Sequence, residues 1–235
     1  MTAGRASYAR SVPLIAEDLL LLLLDDESGK PQTHELVVAL GGAVLVELAL
    51  AEAVTVEEKT ANWRSAKVRP VPGAGTTDPV LADALATVGE KERSAQDLVT
   101  RLGKHLDDKL CARLADRGIL ERRDDKVMGV FPRTRWPARD SSHEDAVRRA
   151  LTVVLVDGGQ PDARTGALVA LLHAVDRAPQ TVPHPGVSDR DVKKRAKEVA
   201  EGQWAAKAVK NAVTAAMAAT TAAMVAATAV VTTGS

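Results

Sequence analysis

"LIAEDLLLLLLDDESGKPQ", residues 14–32, is the stretch whose reading decides the fold. Six leucines run unbroken from Leu19 to Leu24 and stop against Asp25, Asp26 and Glu27. A bilayer span needs ~20 apolar residues, whereas Glu17 and Asp18 stand immediately before this run. A secretory signal needs a basic start, an apolar centre and a small-residue cleavage site. Arg5 and Arg10 imitate the start, but acids flank the leucines on both sides and no A-x-A site follows. What remains is a short helix. Pro13 suits its first turn, Glu17 and Asp18 complement the positive end of its dipole, and "DESGK" closes it in a turn. Leucine on every side implies burial on every side, so this is a core helix.

The next segment, "HELVVALGGAVLVELALAEAV" (34–54), is apolar nearly all round and predicts the central helix of the core. Gly41 and Gly42 lower helix propensity in its middle, which points to another backbone packed close there. Glu47 lies among the apolar residues and needs a partner, and a structural hydrogen bond is the favoured role over catalysis.

Outward from these two helices the chain reads as further helices with one strong β signal. "VTVEEKTANWRSAKVRPVPGAGTTDPV" predicts a short strand pair and a loop. "TDPVLADALATV" restarts a helix with Asp78 as cap and Pro79 at its first position. Ser94 with Asp97 caps the segment "SAQDLVTRLGKHLDDKLCARLADRGIL", which Gly103 divides and Gly118 stops. "ILERRDDKVMGVF" (119–131) predicts a hairpin with "RRDDK" as its turn, and "FPRTRWPARD" a proline-bounded loop. Val127, Met128, Val130 and Phe131 offer more apolar surface than a ribbon hides, so packing on the domain or on a second subunit is expected. Three helices follow, the first with Ser142 and Asp145 as a cap pair. The C-terminus carries no charge after Lys210. Its alanines and threonines insert poorly into membranes, which leaves a small-residue helix against the others or a low-complexity end.

Composition excludes several functions. The 31 basic and 31 acidic residues balance, so no global field attracts nucleic acid or an anionic membrane and any such partner needs a local patch. Few aromatics argue against base stacking. The single cysteine, Cys111, rules out an internal disulfide, fits a reducing compartment, and reads as a small buried hydrophobe. No catalytic motif is present, the five histidines lack metal-ligand spacing, and no cofactor is expected. The stretch that stands out is "FPRTRWP": Arg133 and Arg135 fork onto phosphate oxygens, and Trp136 beside them suits the headgroup level of a bilayer. The competing reading tucks Trp136 into the core and pairs the arginines with local acids.

"LIAEDLLLLLLDDESGKP", "ALGGAVLVELALAEAV", "TTDPVLADAL", "LADRGILER" and "GVFPRTRWP" occur in the order seen in the Golgi phosphoprotein 3 family, and the sequence resembles its bacterial branch. The resemblance implies a mainly α single globular domain: a buried hydrophobic helix ringed by amphipathic helices, with a protruding β-hairpin. The expected organisation is a flexible N-terminus over 1–11 and one domain over 12–232. Eukaryotic members bind phosphatidylinositol 4-phosphate peripherally, act as adaptors retaining glycosyltransferases, and use the hairpin in self-association. Their pocket carries a tryptophan, an arginine and two basic residues; here those places fall on Gln32, Gly41, Lys104 and Asp107, and Arg101 lies one turn before Lys104.

The expectation is a non-enzymatic, cytoplasmic peripheral membrane protein. It would bind anionic, phosphoinositide-like headgroups through Arg101, Lys104, Arg133, Arg135 and Trp136, with a protein client and self-association through the hairpin as further partners. The alternative is a winged-helix-like nucleic-acid binder over 94–131. Asp107, Asp108 and Asp116 on its recognition segment argue against that reading.

Overall fold

The structure, a computed structural model, describes residues 12–56, 66–127, 131–202, 210–211, 213–219 and 221–222. Residues 1–11, the apolar hairpin residues Met128 and Val130, and everything after 222 lie outside that description. The leucine run forms α1 (Ile15–Leu23), and every residue in it is buried. That includes Glu17 and Asp18, at 0% and 4% exposure. They stand in the first turn of the helix, as expected of acids that complement its dipole, and are buried with the rest of it. Glu17 does reach back to accept from the Leu14 amide at 2.8 Å, but both carboxylates mainly face partners on other helices.

The central helix is α2 (Leu36–Leu50), with a buried surface that runs all round its middle. It packs against α1 and against α3 (Pro79–Glu90), α4 (Ala95–Gly103), α5 (Leu106–Asp116) and α7 (Ala163–Ala174). The closest approach is at the glycines. A Cβ added to Gly41 would lie 1.8 Å from the Val99 carbonyl oxygen, and one added to Gly103 would lie 1.7 Å from that of Val37. So two glycines, one from each helix, let α2 and α4 meet backbone to backbone. Gly103 also ends α4, as its place in the sequence predicts.

Beside the helices, β1 (Val54–Val56), β2 (Lys67–Pro70) and β3 (Arg93–Ser94) form an antiparallel sheet in that order. The sequence reading lacks β3, because two residues give no periodicity. Its last residue, Ser94, caps α4 by accepting from the Asp97 amide. Asp78 caps α3 as expected, accepting from Val80 and Leu81. The remaining helices are α6 (Ser142–Leu155), α7, and α8 (Asp189–Glu201). The expected Ser142/Asp145 cap is corrected: α6 begins at Ser142, whose amide donates to Asp140 at 2.9 Å. One core cluster runs from Leu14 to Ala219, so Val213, Ala215, Ala216 and Ala219 lie against the other helices. No helix among the described residues is long and apolar enough to cross a membrane.

The hairpin exists, but its register differs from the sequence expectation. "RRDDK" is not its turn: Arg123–Val127 is strand β4, paired with β5 (Phe131–Arg135), so "FPRTR" is strand rather than loop. Opposed pairs are Arg123 with Arg135, Asp125 with Arg133, and Val127 with Phe131. A ribbon wetted on both faces has no apolar alternation to mark it, and cross-strand polar pairs hold it instead. Arg133 donates to Asp125 at 3.0 and 3.1 Å, and Thr134 to Asp124 at 2.8 Å. Pro132 is tolerated because a two-stranded ribbon has only edges.

Candidate functional site

The first place to look for chemistry is the group of buried acids around α1. Arg113 in the last turn of α5 and Arg117 just past its end each reach Glu17 at 3.1 Å. Arg113 also forks onto Asp78 at 3.0 and 2.8 Å, tying the α3 cap into the same network. Asp18 meets His143 of α6 at 2.7 Å and Arg164 of α7 at 2.7 Å. Arg164 continues to the Pro13 carbonyl and, at 3.4 Å, to Glu47. Glu47 accepts from the Ile15 amide, so its role is the structural hydrogen bond favoured from sequence. Burial raises its pKa above the usual carboxylate range, opposed by that hydrogen bond and by Arg164. The carboxylates face arginines and backbone amides, which joins α1 to α2, α3, α5, α6 and α7. That is a fastening rather than a proton-transfer site, which would need open access to a substrate.

Cys111 is equally unsuited to chemistry. Burial, then the charges of Asp107 and Asp108, push its thiol up to about 12, so almost none is thiolate at neutral pH. Among the described residues no group of three or more His, Cys, Asp or Glu side chains is placed to hold a metal.

Two surface clefts lined by described residues bear on binding. One, about 170 Å³, opens where α3, α4 and α5 meet. Val44, Val80, Ala84, Leu102 and Leu106 give it apolar walls, and Arg101, Lys104, His105 and Lys109 bring nitrogen to its rim. The geometry follows from the break after Gly103: His105 adopts a left-handed backbone (φ +58) and turns the chain into α5. Lys109 is neutralised by Asp83 at 2.8 Å and Arg101 by Asp97 at 2.8 Å. Lys104 is exposed and makes no ion pair among the described residues. His105 and Lys109 were not singled out from sequence, because Asp107 and Asp108 between them give the segment an acidic look.

The other cleft, about 320 Å³, lies at the root of the hairpin, lined by Leu120, Trp136, Asp116, Arg122 and Arg139 among others. Trp136 is half-buried against the core, and the Arg122 guanidinium carbon sits 5.8 Å from its ring centre. The backbone of Trp136 presses on Gly29, whose added Cβ would lie 2.3 Å away. Arg133 and Arg135 share one carboxylate, Asp125, at 3.0 and 2.5 Å. The structure thus brings Arg101 and Lys104 together on the first cleft, while Trp136 lines the second and Arg133 and Arg135 stand on the adjoining ribbon.

The family pocket positions are changed in substance. Gly41 is enclosed by α4 backbone, so no side chain fits there in this packing. Gln32 donates weakly to the Leu24 carbonyl at 3.4 Å, and Asp107 is half-exposed in the first turn of α5. The family model described as Golgi phosphoprotein 3 (GPP34) matches residues 15–216. No curated protein matches the chain.

Proposed function

We propose, from the premise that this chain belongs to the Golgi phosphoprotein 3 family, that it is a non-enzymatic peripheral membrane protein binding anionic lipid headgroups. One observation carries the reading. Lys104, exposed and without an ion pair among the described residues, shares a cleft rim with Arg101, His105 and Lys109. Zero formal net charge leaves no general attraction to a membrane, so a local group of cations must supply it. The apolar walls of the cleft suit the part of a lipid just below its phosphate. Arg133, Arg135 and Trp136 form a second contact on the hairpin, and an adaptor role toward a protein client is what the family adds.

The test is flotation with phosphatidylcholine vesicles containing 30% phosphatidylserine, and with vesicles carrying a phosphoinositide at matched charge. Each basic residue near such a surface contributes about fivefold in affinity. Lys104→Glu therefore lowers binding about thirtyfold, more weakly at high salt. Preference for the phosphoinositide vesicles assigns a headgroup site; equal binding assigns a general anionic surface. No flotation with either vesicle refutes membrane docking.

A further inference from the structure

Asp97 stands between two arginines that differ in every respect except charge. Arg101 donates its Nε to both carboxylate oxygens, at 2.9 and 2.8 Å, and its side chain is half exposed on the cleft rim. Arg93, on β3, lies 3.2 Å from the same carboxylate with its Nε, and its side chain is only 7% exposed. Yet among the described residues Arg93 Nε and Nη1 make no hydrogen bond, while Nη2 donates to Glu90 at 2.9 Å. A buried guanidinium with two unsatisfied N–H groups is costly, because those groups have left water without replacement.

We infer that Asp97 is an exchangeable counter-ion that holds Arg101 in reserve and hands it to an arriving phosphate while Arg93 takes over the carboxylate. In the structure Asp97 hydrogen-bonds to Arg101 and only ion-pairs with Arg93, whose Nε lies 3.2 Å away without a well-directed hydrogen bond. When a phosphate draws Arg101 into the cleft, a small rotation of the Asp97 carboxyl satisfies Arg93 Nε. The carboxylate is then never left unpaired, which is the step that would otherwise oppose release of Arg101. The exchange also selects among ligands. A weak anion does not displace a carboxylate that shares the Arg101 Nε–H between its two oxygens, whereas a phosphate, whose oxygens match the whole guanidinium fork, does. Asp97 is thus a specificity-setting residue that touches no ligand itself.

This inference rests on the anion-binding reading of the cleft, and two measurements separate the failure of one from the other. In flotation with 30% phosphatidylserine vesicles, Asp97→Asn frees Arg101 and raises affinity about fivefold. In an Arg101→Ala background the same substitution gives no gain. A fivefold gain in both backgrounds shows a simple change of surface charge and overturns the exchange. The second measurement needs no membrane: inorganic phosphate is titrated while the arginine Nε–Hε resonances are followed. Arg101 and Arg93 shift together if the carboxylate changes hands, with Arg93 moving as expected for a gained hydrogen bond. Movement of Arg101 alone, or of neither, overturns the exchange. Wild type that fails to float refutes membrane docking, and the phosphate titration then decides the exchange by itself. Circular dichroism of Asp97→Asn guards the comparison, since the Ser94 cap uses only the Asp97 amide and survives the substitution.

Discussion

Two sets of arginine-clamped carboxylates, one around α1 and one on the hairpin, have opposite consequences. Around α1 the partners are 96, 100 and 146 residues apart, and the acids are buried. On the hairpin, Asp125 and Arg133 are eight residues apart and both partly exposed. The first set joins several helices whose ordering is already required by the core. Removing a partner there leaves a charge out of water with nothing opposite it. The second set joins two adjacent strands in contact with solvent, which replaces a lost partner readily. The difference is location rather than chemistry. The α1 network is bound up with the fold, whereas hairpin charges can change without endangering it and are available for function.

The sharpest way to break that comparison is Glu17→Ala. Arg113 keeps Asp78, but Arg117 loses its one ion-pair partner among the described residues, and a space opens against α5. The expected loss is about 3 kcal/mol of unfolding free energy in urea. A loss no larger than that of a surface pair would show the network to be incidental. Next is Gly41→Ala, which asks whether backbone contact constrains the core as tightly as charge does. Its methyl would sit 1.8 Å from the Val99 carbonyl, so α2 and α4 must separate. Overpacking of this kind costs about 1–3 kcal/mol, and an unchanged urea midpoint would mean the two helices are not held so closely.

A smaller effect sharpens the comparison by pH. Burial alone would raise the Asp78 pKa, but the hydrogen bonds and charge of Arg113, with the Val80 and Leu81 amides, bring it below its ordinary 3.8. A lowered carboxylate stabilises the fold fully above its unfolded pKa, and the contribution is lost as pH falls through the folded value. Asp78→Asn keeps the cap, because asparagine accepts from the same amides, while losing the charge. The stability gap between wild type and variant should be full at neutral pH and close as the pH drops below ~4. A gap that stays constant with pH would assign the effect to packing.

What could be seen in the sequence follows the same division. The leucine run, the all-round apolar character of 36–50, the Asp78 and Ser94 caps and the Gly118 stop are local signals, and local signals survive into structure. Glu17 and Asp18 show what does not. Their place at a helix start is local, but their partners Arg113, Arg117, His143 and Arg164 return from distant segments that no local signal connects to them. The hairpin misleads for the opposite reason: its strands are polar on both faces, so "RRDDK" looks like a turn. Of the residues lining the first cleft, Lys104 could be named through a family position and Arg101 through its place one turn earlier. His105 and Lys109 could not be, because their place on the rim depends on the chain turning at residue 105.

The smallest expected effect on stability is the one that bears most on function. Arg133→Ala with Arg135→Ala removes both partners of Asp125, a group in contact with water, and should leave the urea midpoint essentially where it was. Binding is a different matter. Two guanidinium groups facing one carboxylate leave the ribbon face positive, and a membrane partner would feel the loss of both. With about fivefold per basic residue near an anionic surface, the double variant should bind phosphatidylserine vesicles about thirtyfold more weakly. That difference should shrink as added salt shortens the Debye length. Trp136→Ala should weaken binding with less dependence on salt, because an indole contributes by apolar contact. A double arginine variant that floats as well as wild type would confine membrane contact to the α4–α5 cleft. One that loses stability as Glu17→Ala does would erase the distinction between the two sets of clamped acids.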